Sequence, residues 1–408
     1  MTKAKTILVS LSALTLLSTI ASAQNAPYNV LNGQMQLNDV IGVLNVEMGT
    51  SNNVVGTATA LGNNMAARAI ENDMNVVSLQ NVDGNVGAQS SISVANAQGL
   101  TLSNAVAAGN IAQLEGCCAV TTSDVNQVTA YNKSIDATSI VRAGAADAIV
   151  SATQSTGNSF AGWTDHGESY SFTGQYNSSN INANSDVGAE YNTHSVTSGA
   201  VAAANSTRLG GETATIYSTV DQKNFADVNA LSRVNIGSAN NVTSGAAGAG
   251  NLAEVQNKWG YVQMNGQQEN NNAINAASVV QLGDWGGYAV SGANTIGNSA
   301  LVSNIGSDVT MGITQQNNGN ITSFAMLEGN SSRGGVGAVS SMATGNAMTG
   351  YSCSNCGDSS VKVEGYANQI NNGNVTAATH VGVGTAGFIS ANATAIGNSA
   401  TFIAQRGH

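Results

Sequence analysis

Charge is what this chain lacks most. Only 9% of its 408 residues are Asp, Glu, Lys or Arg, about a third of the usual share in a globular domain. Twelve Lys and Arg against 23 Asp and Glu leave a formal net charge of −11, so binding to nucleic acid has no electrostatic basis. There is one proline, Pro27, and aromatics make up 5% of the residues. The scarcity of proline argues against a disordered chain, and with so few rings a core would have to be filled by small side chains such as Ala and Ser. Past the N-terminus no stretch approaches 18 uninterrupted apolar residues, the length a membrane-spanning helix needs.

What is present is repetition. Gly62-Asn63, Gly109-Asn110, Gly157-Asn158, Ala204-Asn205, Gly250-Asn251, Gly297-Asn298, Gly345-Asn346 and Gly397-Asn398 recur at intervals of 46–52 residues. Midway between them runs an apolar column of Val86, Ile135, Ile181, Val228, Ile274, Ile321 and Val375. Six residues before that column stand Gln80, Gln175, Gln222, Gln268, Gln315 and Gln369, with Thr129 breaking the series in the second repeat. Alternating segments such as Asp308–Thr314 and Val361–Tyr366 lie upstream, and such alternation marks strands with one buried face.

Repeats of 20–50 residues signal solenoids, propellers or arrays. Helical repeats need apolar residues at 3.6 spacing and few glycines, and a propeller blade needs four marked strands with aromatic signatures. The sequence therefore predicts an all-β fold, a β-solenoid with coils of about 23 residues alternating in two flavours and a 47-residue period. Fifteen such coils at about 4.8 Å each would make a rod of roughly 70 Å. Stacked coils bring like residues together, so Asn63, Asn110, Asn158, Asn205, Asn251, Asn298, Asn346 and Asn398 are expected in one inward ladder and the six glutamines in another. Glycine before each Asn is expected to supply φ > 0 at a tight corner.

At the N-terminus, Lys3 and Lys5 precede the apolar run Ile7–Ala21 and the small-residue site Ala21-Ser22-Ala23. This predicts a secretory signal peptide over 1–23, a lead-in or first coil over 24–50, and the repeat domain over 51–408.

Function is expected where the columns break. Variable turns follow the Gly-Asn corners (116–122, 161–168, 257–261, 349–359) and the apolar markers (190–194, 283–288, 328–335). Cys353 and Cys356 occupy one turn. In an exported chain without a second CxxC they are expected to form a local disulfide rather than half a zinc site. Cys117 and Cys118 are adjacent, which leaves a strained vicinal bridge or pairing to another subunit. Trp163, Trp259, Tyr261, Trp285 and Tyr288 suit sugar stacking or protein contact, and equally suit plain cover for the coil edge. His166 with Asp165 and Glu168 is the one tight titratable cluster; with no complementary group nearby, it does not amount to a catalytic site. No cofactor or metal is expected.

Ile313-Thr314-Gln315-Gln316-Asn317-Asn318-Gly319-Asn320-Ile321 and Gln369-Ile370-Asn371-Asn372-Gly373-Asn374-Val375-Thr376-Ala377 resemble curlin repeats. The whole chain, with its signal peptide and many curlin-like coils, resembles the holdfast attachment protein D family of stalked bacteria. That resemblance implies a cell-surface protein that helps anchor an adhesive polysaccharide, beside a curlin-like surface protein and an outer-membrane secretion lipoprotein. Ala395-Ile396-Gly397-Asn398-Ser399-Ala400 is also similar to the head repeats of trimeric autotransporter adhesins, but the C-terminal membrane barrel of those proteins has no counterpart here. The leading expectation is thus an exported anchoring scaffold, not an enzyme. The alternatives are a glycan-binding passenger adhesin and a β-helix polysaccharide lyase or hydrolase, which needs paired carboxylates. Coils running almost to His408 predict an open end able to take a partner or another copy by strand addition.

Overall fold

The computed structural model of the chain describes residues 27–191, 193–330, 334–354 and 360–405. The expected signal peptide and Cys356 lie outside the described residues. All regular structure among the described residues is β-strand, and every strand pairing is parallel, in one 8-stranded and one 13-stranded sheet. The expected β-solenoid is what the chain forms.

Its layer, however, is twice as long as expected. Met74 pairs with Tyr28 and with Thr121, and Val228 with Ile181 and Ile274. Backbone neighbours are thus 46–48 residues apart through most of the rod, rising to 54 between Val309 and Val363. The two 23-residue flavours do not stack on one another. They lie in the same layer and face each other across the core, because only then do like residues meet like residues in adjoining layers. Eight layers result, and seven steps of about 4.8 Å give a rod of about 34 Å instead of 70.

The fifth layer shows the plan. An outgoing limb consists of Thr215–Asn224, a bend, and the start of Val228–Lys258; the chain then turns back, and the rest of that strand forms the return limb. Outgoing limbs begin at Tyr28 in the first layer and at Val363 in the eighth. Side chains alternate in and out along both limbs, as the pleat requires. At the Gly-Asn pair the alternation slips by one: Ala105 and Ala107 are buried before it, Asn110, Ala112 and Leu114 after it. The limb kinks there.

Glycine at the kink serves close approach, not φ. A Cβ on Gly109 would stand 2.6 Å from the carbonyl oxygen of Gly157 in the next layer. The positive-φ glycines among the described residues are Gly266 and Gly306, neither in this column. Ala204 takes the same place, fully buried.

The kinks divide the interior into two apolar compartments. One holds Val86, Ile92, Ile135, Val228 and Ile274 against small partners such as Ala105, Ala200 and Ala246. The other holds Met74, Val76, Leu114, Phe160 and Met264. Burying each of the larger side chains contributes about 1.5–3 kcal/mol, and facing Ala or Ser lets the limbs close without large rings.

Between the compartments run polar ladders. Asn63 Nδ2 donates to Asn110 Oδ1, and the series continues through Asn158, Asn205, Asn251, Asn298 and Asn346 to Asn398 at 2.7–2.9 Å. Beside it Gln80 donates to Gln34, Gln127 to Gln80, Gln175 to Gln127, and so on through Gln222, Gln268 and Gln315 to Gln369. The second repeat therefore does not break the glutamine column. Gln127 fills it, and two extra residues in the bend before Ile135 displaced the spacing. The second amide hydrogen of these side chains crosses the core: Gln222 donates to the Leu252 carbonyl and Asn251 to that of Glu269. Buried amides are costly unless paired, and in Gln222 and Asn251 both hydrogens are used. The two ladders point in opposite directions, asparagines donating towards the C-terminus and glutamines towards the N-terminus, so their dipoles offset.

Candidate functional site

With the interior committed to ladders, chemistry is left to the outer faces and turns. One edge is distinctive. After each of the first six return limbs a single residue takes left-handed backbone angles: Glu71 (φ 57°), Cys118 (67°), His166 (48°), Thr213 (56°), Trp259 (64°) and Gly306 (86°). Its N–H donates to the layer above, as from His166 to the Glu212 carbonyl at 2.9 Å and from Trp259 to that of Ile305 at 2.7 Å. Non-glycine residues rarely adopt such angles; the recurrence shows that the turn imposes them. From the second layer to the sixth the residue that follows is small (Ala119, Gly167, Ala214, Gly260, Ser307); a Cβ on Gly260 would stand 1.8 Å from the Ala214 carbonyl oxygen. From the first to the fifth layer the edge thus presents a different exposed side chain, Glu71, Cys118, His166, Thr213 or Trp259, on a fixed backbone.

Aromatic rings gather along it. Trp163, 48% exposed, lies on the outer side of the return limb over Gly210, and Trp259, also 48% exposed, packs its ring on Gly306. On the outgoing side Tyr170 and Tyr217 stack with centroids 4.9 Å apart and planes 9° apart, and Tyr261 tilts against Tyr217 at 5.9 Å. Tyr170 and Tyr217 sit 47 residues apart in one column; that spacing could have revealed them, but the expectation of aromatics only at variable turns passed over them. Tyr176, further along the same face, donates to Asp221 at 2.5 Å and carries Lys223 above its ring. Burial first, and then the bond to Asp221, push its phenol up to about 12.

The other two expected aromatics lie on the opposite edge and differ from each other. Tyr288 is 47% exposed. Trp285 is not a surface residue: at 1% exposure it is the largest fully buried side chain, with Gly329 and Gly334 packed on its ring. It fills the bend at the end of its strand, where the small core residues leave room, and cannot meet a ligand.

His166 and Asp165 form an exposed pair at 2.7 Å, and Glu168 accepts from the Tyr170 hydroxyl at 2.8 Å rather than joining them. Among the described residues no group of three His, Cys, Asp or Glu could hold a metal ion. The sulfurs of Cys117 and Cys118 lie within bonding distance of each other at the left-handed turn. Cys353 ends its strand, half-buried.

Sequence reasoning missed two further polar tracks. Asn177, Asn224, Asn270, Asn317 and Asn371 form a third amide ladder at 2.7–2.8 Å, each also closing the bend two residues on. Serine hydroxyls zip the two limbs of the larger compartment together from Ser90 and Ser103 through Ser198 and Ser232 to Ser278 and Ser291.

A family model, holdfast attachment protein D, matches residues 48–320, about two thirds of the chain and most of the ladder-bearing layers. The chain belongs to the holdfast attachment protein D family. Membership makes it an exported or cell-surface protein associated with holdfast components. No curated protein and no solved structure matches the chain significantly.

Proposed function

We propose that this protein is a structural element of the holdfast anchor, a rigid exported rod that ties an adhesive polysaccharide to the cell surface and performs no chemistry. The observation that carries this reading is where the polar side chains go. Asn, Gln and Ser, the groups a catalytic or ligand pocket would use, are spent inside on ladders running along the rod, while the titratable groups stand outside, singly or in surface pairs such as Asp165 with His166 and Arg142 with Asp186. A hydrolase or lyase would need carboxylates converging on a cleft, and nothing in the described arrangement favours that reading.

The aromatic edge is the surface that would meet the polysaccharide. Trp163 and Trp259, two layers and so about 10 Å apart along the axis, offer apolar rings beside hydroxyl and amide groups, the combination that stacks on sugar rings. Retention at the surface would come through a curlin-like partner and an outer-membrane secretion lipoprotein. The test is a strain lacking the gene, complemented with the parent or with the double variant Trp163→Ala/Trp259→Ala. The parent should restore adhesion. The double variant should reach the surface in equal amount yet shed labelled polysaccharide under shear. Adhesion restored by an empty vector would refute the anchoring role, and full polysaccharide retention by the double variant would refute the edge as its contact.

A further inference from the structure

The outer face of the outgoing limb changes character along the rod. Leu31, Met35 and Leu37 in the first layer and Val77 and Leu79 in the second are all exposed. Val77 pairs with Leu31 and Leu79 with Gly33, so the five side chains make one patch. In the third layer the same columns turn polar, Val77 being followed by Asp124 and Leu79 by Asn126. Single exposed aliphatics are ordinary, whereas a contiguous group covering several hundred Å² marks a contact surface. Gly33 gives the patch a notch between Leu31 and Met35. A Cβ there would meet nothing within 4 Å, so the packing of the rod does not call for glycine; in a strand it marks a place of close approach. Leu31, Met35 and Leu37 precede residue 48, where the family match begins, so the patch belongs to this chain beyond that match. Carboxylates border it on three sides. Asp73, whose carbonyl accepts from the Tyr28 N–H at 2.7 Å, stands at the corner; Asp83, whose N–H donates to the Gln36 carbonyl at 2.7 Å, and Asp39 stand at the bend beside Leu37. Asp124 closes the third-layer side. All four are exposed, and none makes an ion pair among the described residues, since Arg68 is taken by Glu115 and Lys133 of the third-layer bend bridges none of them.

We infer that this patch seats an amphipathic helix of a partner protein, with an apolar stripe on the five aliphatic side chains and Lys or Arg along its flanks. From Leu31 to Leu37 the strip is about 20 Å long, and two layers with their side chains make it about 10 Å wide. Those are the dimensions of one α-helix of about 13 residues. One bulky side chain of the helix enters the notch at Gly33, and the basic flanks face Asp73, Asp124, Asp83 and Asp39. Opposite charges around an apolar centre set the partner and its orientation. The acidic rim selects against the other occupants. A second copy placed patch to patch would set four carboxylates against four more. A lipid surface offers phosphates, which the rim repels and which no basic residue of the patch binds. The contact is separate from the Trp163 and Trp259 edge and does not depend on what that edge holds.

Two fluorescent peptides of about 13 residues test the fit. Both carry leucines at helical spacing, flanked by lysines in one and by glutamates in the other, and each is titrated into the purified protein. The lysine peptide should bind one per chain and about tenfold or more tighter than the glutamate peptide. Leu31→Ser/Leu79→Ser should weaken it about tenfold or more at an unchanged melting temperature. That variant keeps every carboxylate, so the loss reads the patch and not the net charge of the chain. Equal binding of the two peptides, or equal binding by parent and folded variant, would overturn the inference. A second arm works in cells, with a photo-crosslinking residue in place of Leu79. The joined segment, sequenced by mass spectrometry, should come from another protein and carry aliphatic side chains at helical spacing between Lys or Arg. A joined segment of this chain, a joined lipid, or no product would overturn it equally.

Discussion

Asn205 donates from Nδ2 to Oδ1 of Asn251, 46 residues on, at 2.8 Å, and neither side chain is exposed. That bond joins two layers through the centre of the rod, and its repetition from Asn63 to Asn398 explains why one residue recurs in every repeat of a chain with few other constraints. An aspartate would bring a buried charge, and an alanine would open the ladder.

Asn251→Ala removes a donor to Asn298 and to the Glu269 carbonyl and an acceptor for Asn205. Leaving those buried groups unpaired should cost about 1–3 kcal/mol. The same change at Asn398, in the solvated last layer, should cost under about 1 kcal/mol. Thermal or denaturant unfolding of the two variants checks the contrast; equal losses would show that the ladder carries no more stability inside than at its end.

The serine zipper should show coupling. Ser198 lies 2.8 Å from Ser185 and 2.7 Å from Ser232 across the two limbs. Ser198→Ala or Ser232→Ala alone should each cost about 1–2 kcal/mol by orphaning a hydroxyl. The double variant should cost less than the sum, because contacting residues do not add. Strict additivity in a double-mutant cycle would mean that the hydroxyls do not bond as a chain.

Alkaline pH should loosen the outgoing face. Tyr176 is raised from 10.0 to about 12, so the folded state favours its protonated form. The stability this contributes is complete below pH 10 and is lost as pH rises through 12. Tyr176→Phe should remove that part of the alkaline loss, and ultraviolet titration of the phenols should lose one late-ionising group.

Tryptophan emission separates the two edges. With Trp163→Phe and Trp259→Phe in place, the remaining fluorescence comes from Trp285 and should be blue-shifted and nearly insensitive to acrylamide. Strong quenching in that variant would contradict the burial of Trp285.

Much of the fold was legible in the sequence because stacking forces like onto like: the Asn and Gln columns, the apolar column and the small residues facing it all repeat with the layer. What periodicity cannot tell is whether two half-repeats stack or face each other. Asn110 and Val86 look like markers of successive coils, yet they occupy opposite limbs of one layer. Gln127 was hidden by two extra residues at the bend, around Asn132 with its left-handed angles. The serine zipper was hidden because its partners alternate between limbs, at separations of 12–13 and 34–36 residues, so that no single column holds them. Trp285 was misjudged because a turn in a chain of small residues can draw a large ring inward. Of the candidate edge, Trp163, Trp259 and Tyr261 were visible from their turns, whereas Tyr170 and Tyr217 stand within regular strand.

The central claim, that one layer takes about 47 residues, is tested most directly by a single distance. Leu31 (84% exposed) and Tyr366 (66% exposed) point outward in one column at the two ends of the rod, linked layer by layer through Val77, Asp124, Phe172, Thr219, Asn265 and Gly312. Spin labels at these two positions, in protein diluted with unlabelled copies, should give an electron–electron distance near 34 Å for seven steps of about 4.8 Å. A distance near 67 Å, the value for coils of 23 residues at the same rise, would contradict the account.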